Sequence, residues 1–263
     1  MAITGRDQFI AAMSATAYTG TFYKTLGTSA PVLRPISAWT QPGLQPGAPG
    51  VAPSTAATCD ASTVGALPVP GVQSAGNTLY LSGMSLFTPY SIAAVIGLYD
   101  RVAHAGGFVT TTTTAQPVAL SAPARCAGYA GVQAYTETLT ASGAMNAMTI
   151  TYTNSAGVSG RTGTLPAGAA LDSAFSATPF QLADGDVGIS SVQSLSMVTA
   201  SATPAGNFAL VLARPLHVFA SRTSQTLQRA YTNIIDLTVS PCLFFTYTNY
   251  AGPCYGALTT VEG

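Results

Sequence analysis

Charge is what this sequence most lacks. Lys, Arg, Asp and Glu together make up 7% of the 263 residues, against roughly 25% in an ordinary soluble domain. Nine basic and nine acidic residues cancel. No basic patch stands out, so nucleic acid is not an expected partner. Long apolar runs are missing too. The longest, such as SIAAVIGLY, reach about half of the ~20 residues a bilayer-spanning helix needs, so no membrane span is expected. Near the start, MAITGRDQFIAAMSATA sets Asp7 beside Arg6 and breaks its apolar stretch early, so a secretory signal is not expected.

Groups that do chemistry are equally scarce. There are two histidines, His104 and His217, and four cysteines, Cys59, Cys126, Cys242 and Cys254. No C-x-x-C pair occurs and neither histidine is near a cysteine in sequence, so no zinc site or other metal is assigned. Cys242 and Cys254 flank TYTNYAG and are spaced so that they could bridge. Buried free thiols suit a chain without a secretion signal better. No G-x-S-x-G elbow and no glycine-rich phosphate cradle appear. DGD (184–186) lacks the spaced ligands of a calcium loop and reads as a solvated acidic turn. HAGG (104–107) reads as a turn. An enzyme needs titratable groups set together. No catalytic residue and no cofactor is assigned, and the chain is not expected to be an enzyme.

What is present is threonine, serine, small residues and tyrosine. Hydrophobic residues reach 48%, so the composition is not that of a disordered chain. MTITYT (148–153) alternates Met148, Ile150 and Tyr152 against Thr149, Thr151 and Thr153, the period of a strand with one face in a core. AYTETLT (134–140), MTITYT and RTGTL (161–165) read as a meander with one apolar and one threonine face. SLSMVTA (194–200) and NFALVLARPLHVFA (207–220) read as a hairpin around SATPAG, with Pro215 at a bulge or an edge. SIAAVIGLYDRVAHAGG (91–107) fits either a helix capped by Ser91 or a strand; the strand is preferred through Tyr99, followed by a turn at 104–107. SQTLQRAYTNII (224–235) has helix formers for one or two turns. The expected class is mainly β: an antiparallel sandwich or jelly-roll-like domain.

Two features precede that domain. TGRDQFIAAM (4–13) reads as a short helix, with Thr4 and Asp7 at capping-box spacing and Phe9, Ile10 and Met13 on one face. QPGLQPGAPGVAPSTA (41–56) is too rich in proline and glycine for a helix and is extended or looped. The expected division is an N-terminal helix and arm over 1–56 and a β-rich domain over 57–263, or one continuous domain.

TYTNSAG (151–157) returns as TYTNYAG (246–252), six of seven letters identical. The match does not extend to either side. Reuse of one strand-to-turn solution explains it better than duplication of a whole unit.

So neutral a surface repels its neighbours weakly, so association with other copies or other proteins is expected. The candidate contact residues are Phe9, Ile10 and Met13 on the helix, Trp39 (the only tryptophan) before the proline-rich run, and Asp100 with Arg101 in YDR. On a strand, Asp100 and Arg101 point to opposite faces and need not pair with each other. Each is expected to meet an opposite charge on another strand or another subunit.

Several stretches in order carry a family resemblance: GRDQFIAAMSA, STAATCDASTVGALPVPG, LYDRVAHAGGF, TYTNSAGVSGRTGTL and SVQSLSMVTASATPAGNFALVLARPL. The chain resembles virion structural proteins of tailed bacteriophages and prophages over most of residues 4–214. The resemblance implies a non-enzymatic particle component, assembled in the host cytoplasm and located in the virion, whose partners are the major capsid protein or other virion proteins. Capsid decoration, or cement, is the preferred role. A tail, head-fibre or receptor- and glycan-binding part is the alternative.

Overall fold

The computed structural model describes residues 3–15, 17–27, 35–45, 49–71, 73–74, 76–88, 94–126, 128–139, 146–167, 177–201, 208–221, 227–237, 239–248 and 252–263. The elements run in the order α1 (Arg6–Ala15), β1 (Ala17–Leu26), β2 (Ile36–Ser37), β3 (Gly43–Gln45), β4 (Ala57–Thr58), β5 (Leu79–Phe87), β6 (Ala94–Phe108), β7 (Gln116–Ser121), β8 (Gln133–Thr138), β9 (Met148–Asn154), β10 (Arg161–Leu165), β11 (Ala177–Pro179), β12 (Ile189–Met197), β13 (Phe208–Ser221), β14 (Leu227–Leu237), β15 (Leu243–Tyr247) and β16 (Gly252–Glu262). The chain is mainly β, with antiparallel sheets, as its composition led one to expect.

Three sheets form. A central one has the order β11-β8-β13-β6-β15-β2, with β4 also paired to β6. A five-stranded sheet has the order β14-β5-β16-β1-β3, and a four-stranded one the order β10-β9-β12-β7. The long strands β6 and β13 are the spine. Ile96 and Leu98 of β6 join a core with Phe22, Leu81, Leu86, Leu243 and Phe245, against the five-stranded sheet. Further along, Val102, Ala103, Ala105 and Phe108 join a second core with Met148, Ile150, Tyr152, Leu195 and Leu210, against the four-stranded sheet. One strand thus feeds both cores, as in sandwich packing.

The other face of the central sheet is covered by the chain itself. Trp39, Cys59, Ala66, Tyr135, Val211, Cys242 and Phe244 cluster there. The proline- and glycine-rich run supplies the cover: Gly50 N donates to Trp39 O (2.9 Å) and Gly106 N to Pro53 O (2.6 Å). A Cβ on Gly50 would stand 2.1 Å from Trp39 Nε1, and one on Gly106 2.7 Å from Ala52 O. Glycine is required at both places because backbone or indole occupies the space of a side chain. In its described part the run is therefore neither a free arm nor a loose loop. The N-terminal region is woven in as well: β1 pairs with β16 from Ala17↔Val261 to Leu26↔Gly252.

Several expectations need correction. The strand over 94–108 does not stop at Tyr99; HAGG lies inside β6, because β13 and the 52–58 segment hold it on both sides. AYTGTFYKTL (17–26), not read as any element, is β1. Residues 227–237 form β14, not helical turns, because pairing with β5 outweighs local propensity. β8 does not join β9 and β10 in a meander; it pairs with β11 and β13. β12 and β13 are not a hairpin but lie in different sheets, and most of SATPAG falls outside the described residues. The register of β13 against β6 does slip between Pro215 and His217, the bulge that proline requires. Met148, Ile150 and Tyr152 are buried as their alternation predicts. At the N-terminus, Gln8 rather than Asp7 reaches back to cap, accepting from Thr4 N (2.7 Å).

The packing around Trp39 is testable. Gly50→Ala should destabilise the chain by ~1–3 kcal/mol through overpacking and shift the emission of the single tryptophan to the red. Gly5→Ala, where an added Cβ meets nothing within 4 Å, should leave both melting temperature and emission unchanged.

Candidate functional site

The described residues concentrate charge in one place, at the middle of β6. The register of β6 on β13 slips between Leu212↔Ala103 and Ala213↔Arg101, leaving Val102 as an extra residue. A bulge puts two successive residues on one side. Val102 and Ala103 therefore both enter the core shared with the four-stranded sheet, and Arg101 and His104, three apart, share the opposite face.

On that face Arg101 is fully buried. Its Nη1 and Nη2 donate to Oε1 (3.0 Å) and Oε2 (2.8 Å) of Glu137 on β8. Its Nε donates to His104 Nδ1 (3.0 Å). The guanidinium carbon lies 4.5 Å from the Trp39 ring centroid and 5.6 Å from that of Phe244. This is the bidentate, aromatic-stacked environment that arginine meets better than lysine. Burial opposes ionisation of Glu137, but the Arg101 charge and its hydrogen bonds outweigh it and hold the carboxyl below its usual range. Burial likewise opposes the Arg101 charge, and Glu137 more than restores it.

On the other face Asp100 is also buried. Arg125 donates to it twice, from Nη1 to Oδ2 (2.6 Å) and from Nη2 to Oδ1 (3.0 Å). Arg125 Nη2 also reaches Cys59 O (2.9 Å), and Cys242 N donates to Asp100 Oδ1 (2.9 Å). The pair sits where β6 passes from one core to the other, tying the loop after β7 and the entry to β15 to the strand. A pocket beside Arg101 and Glu137 is walled by Tyr99, Tyr135, Ala177, Val211, Phe244 and Thr246. The ionised groups at its base already hold each other. Among the described residues, no group of three or more His, Cys, Asp or Glu could hold a metal ion.

A second polar cluster forms at the DGD turn. Asp186 accepts from Tyr152 Oη, Asn154 Nδ2 (2.7 Å) and Arg161 Nε (2.9 Å). The Tyr152 hydroxyl, then Arg161 and Asn154, pull its carboxyl down to about 2. The acidic turn is thus a clasp on the β9–β10 hairpin, whose own turn carries Gly157 at φ 82°.

The candidate contact residues divide. Phe9 packs, with Ala12, against Ile3, Tyr80 and Val261. Ile10 and Met13 remain exposed. Trp39, Asp100 and Arg101 are interior, because their partners lie in this same chain, and they offer no surface to a second subunit. The opposite-face reading of YDR is what the strand shows, each charge meeting another strand or loop of its own chain. Glu137, His104, Arg125 and the paired thiols Cys59 and Cys242 were not singled out together. The one available signal was a lone glutamate between threonines in a strand otherwise free of charge.

No protein-family profile matches the chain, and no curated protein matches it. Among solved structures, a chain from the structure of infectious bursal disease virus strain Gx is similar over 94% of this chain and 79% of that one, at 10% identity and a TM-score of 0.20. A superposition that loose supports no argument about fold or role.

Two measurements check the electrostatics. Glu137→Leu strands a buried guanidinium and should cost ~3–5 kcal/mol, whereas Arg101→Met with Glu137→Leu should recover most of the loss; urea unfolding of the three proteins decides it. Asp186 titrates lower when folded than its ordinary ~3.9, so its contribution is complete above about pH 4 and is lost as pH falls towards 2. The acid-unfolding curve of Asp186→Asn should be shallower than the parent's across that window.

Proposed function

We propose that this chain is a non-enzymatic structural component of a tailed-phage virion that decorates the capsid and binds the major capsid shell. The observation that carries this reading is where the charge goes. Lys24, Asp100, Arg101 and Glu137 are all buried, removing four of the few charged side chains from the surface. The exterior keeps threonine, serine and scattered apolar side chains, among them Ile10, Met13, Val51, Val64, Phe87 and Val187. A surface so low in charge gains by being covered with protein. The ordered series of stretches resembling virion proteins supplies the kind of assembly. Repeated contacts on a lattice would supply avidity without any one strong site.

One observation favours a second reading, a receptor- or glycan-binding part of the tail or fibres. On the five-stranded sheet Tyr23 stands opposite Tyr255, and Tyr255 opposite Phe87. The tyrosine ring centroids are 4.7 Å apart, and Tyr255 and Phe87 are exposed. Such an aromatic row offers flat apolar faces to a sugar ring.

Copy number in purified particles separates the two. Hundreds of copies in fixed ratio to the shell protein are expected for decoration. A few copies per particle would favour the tail or fibre reading, and none would overturn the virion assignment. Deleting the N-terminal 55 residues is a poor probe of incorporation, since it removes β1, β2 and β3 and leaves β16 paired only with β5.

A further inference from the structure

Cys59 and Cys242 come from distant parts of the chain and end up as neighbours on one edge of β6. Along that edge β4 pairs Ala57↔His104 and Thr58↔Ala103, and β15 begins at Leu243↔Asp100. The two cysteines fill the gap between them. Cys59 N donates to Val102 O (3.0 Å), and Arg101 N donates to Cys242 O (2.8 Å). They therefore stand opposite consecutive residues of β6, Val102 and Arg101, whose own Cα atoms are ~3.8 Å apart. A disulfide spans Cα separations of ~4.4–6.8 Å. Both side chains lie in the one buried cluster around Trp39 and Phe244. Both cysteines are reduced and buried.

We propose that Cys59 and Cys242 are a built-in dithiol that closes to an intramolecular disulfide, with Cys59 as the attacking thiol and Cys242 as the resolving one. The surroundings set those roles. The Cys242 hydrogen bond, opposed by burial and helped by His104 and the Arg101 charge, holds the Cys59 thiol well below its ordinary range; the same contact and burial push Cys242 up. His104 accepts from Arg101 Nε at Nδ1, which leaves Nε2 as the protonated nitrogen of the neutral ring. Attack is selective because the thiolate, not the thiol, is the nucleophile.

The oxidant is a low-molecular-weight disulfide such as oxidised glutathione. The Cys59 thiolate attacks one glutathione sulfur, forming a mixed disulfide and expelling glutathione thiolate. Cys242, giving up its proton, then attacks Cys59 sulfur and expels the second glutathione. Two protein thiols are oxidised, one disulfide is reduced, and both protons end on the two glutathiones. Access requires only local opening of the segment from β4 through the exposed Asp60–Ser62 turn, which is held to β6 by the short β4 ladder, Cys59 N and Arg125. The cross-link would staple the cover of the Trp39 face to β15 and close a loop through most of the chain.

The test uses the full chain, incubated with oxidised glutathione, denatured, alkylated and mapped by mass spectrometry. The expected result is loss of two of the four thiols, a Cys59–Cys242 cross-linked peptide, and a melting temperature raised by about 5 °C or more that reverts on reduction. Cys242→Ser should stop at a glutathione adduct on Cys59, and Cys254→Ser should behave as the parent. Four surviving thiols, a bond to Cys126 or Cys254 instead, or an unmodified Cys59 in Cys242→Ser would overturn the proposal. None of these outcomes depends on copy number in particles.

Discussion

The buried ion pair of Arg101 and Glu137 is the constraint around which the central sheet is arranged. A guanidinium cannot stay charged in an apolar interior unless its donors and its face are both occupied. Here Glu137 and His104 take the donors, and Trp39 and Phe244 take the face. That fixes β8, β6, the 37–41 segment and β15 relative to one another. The bulge at Val102 is part of the same solution, because without it His104 and Arg101 would lie on opposite sides. Apolar residues could fill this volume, but they would not demand one register. The pair favours a unique arrangement in a sheet otherwise rich in interchangeable alanine, threonine and valine.

The Asp100 and Arg125 pair does complementary work on the other face. Two apolar cores lie side by side there, one with each flanking sheet, and both are fed by β6. Between them the strand carries a carboxylate held by an arginine from outside the sheet. A polar joint between cores lets each pack to its own shape while the spine remains continuous. Taken together, the two pairs draw charge inward and leave a neutral exterior. The same feature that specifies the fold thus shapes the surface on which the proposed role rests.

The sequence carried the local half of this. Alternation in MTITYT revealed a half-buried strand, Pro215 called for a bulge or an edge and sits at a bulge, and Asp100 next to Arg101 had to diverge on a strand. These depend on period and on proline geometry, which neighbours cannot change. What was hidden depends on pairing. Residues 227–237 have helix formers yet lie against β5, and 134–138 resemble their sequence neighbour β9 yet join β13. The glycines of HAGG suggested a turn, but Gly106 serves close approach to Ala52 O inside a strand. For the site, nothing local says that Glu137 will meet Arg101, or that Cys59 and Cys242 will abut, because both contacts arise from the register on β6.

The repeated TYTN shows how far letters and environment can separate. Tyr152 lies in one core with its hydroxyl on Asp186. Tyr247 lies in the other, its hydroxyl directed to Gly27 O (3.4 Å). In both copies tyrosine fills a core with its ring and reaches a distant segment with its hydroxyl, a use that suits a side chain apolar along its body and polar at its tip. The threonines beside them differ: Thr151 and Thr153 are partly exposed, whereas Thr246 and Thr248 are buried. The connections differ as well. β9 turns directly into its partner β10, while the strand after β15 leaves for another sheet. Duplication of a folded unit would have kept the partners along with the letters. What has been kept is the strand end alone, so the repeat is one solution to anchoring the end of an interior strand, used in two unrelated places.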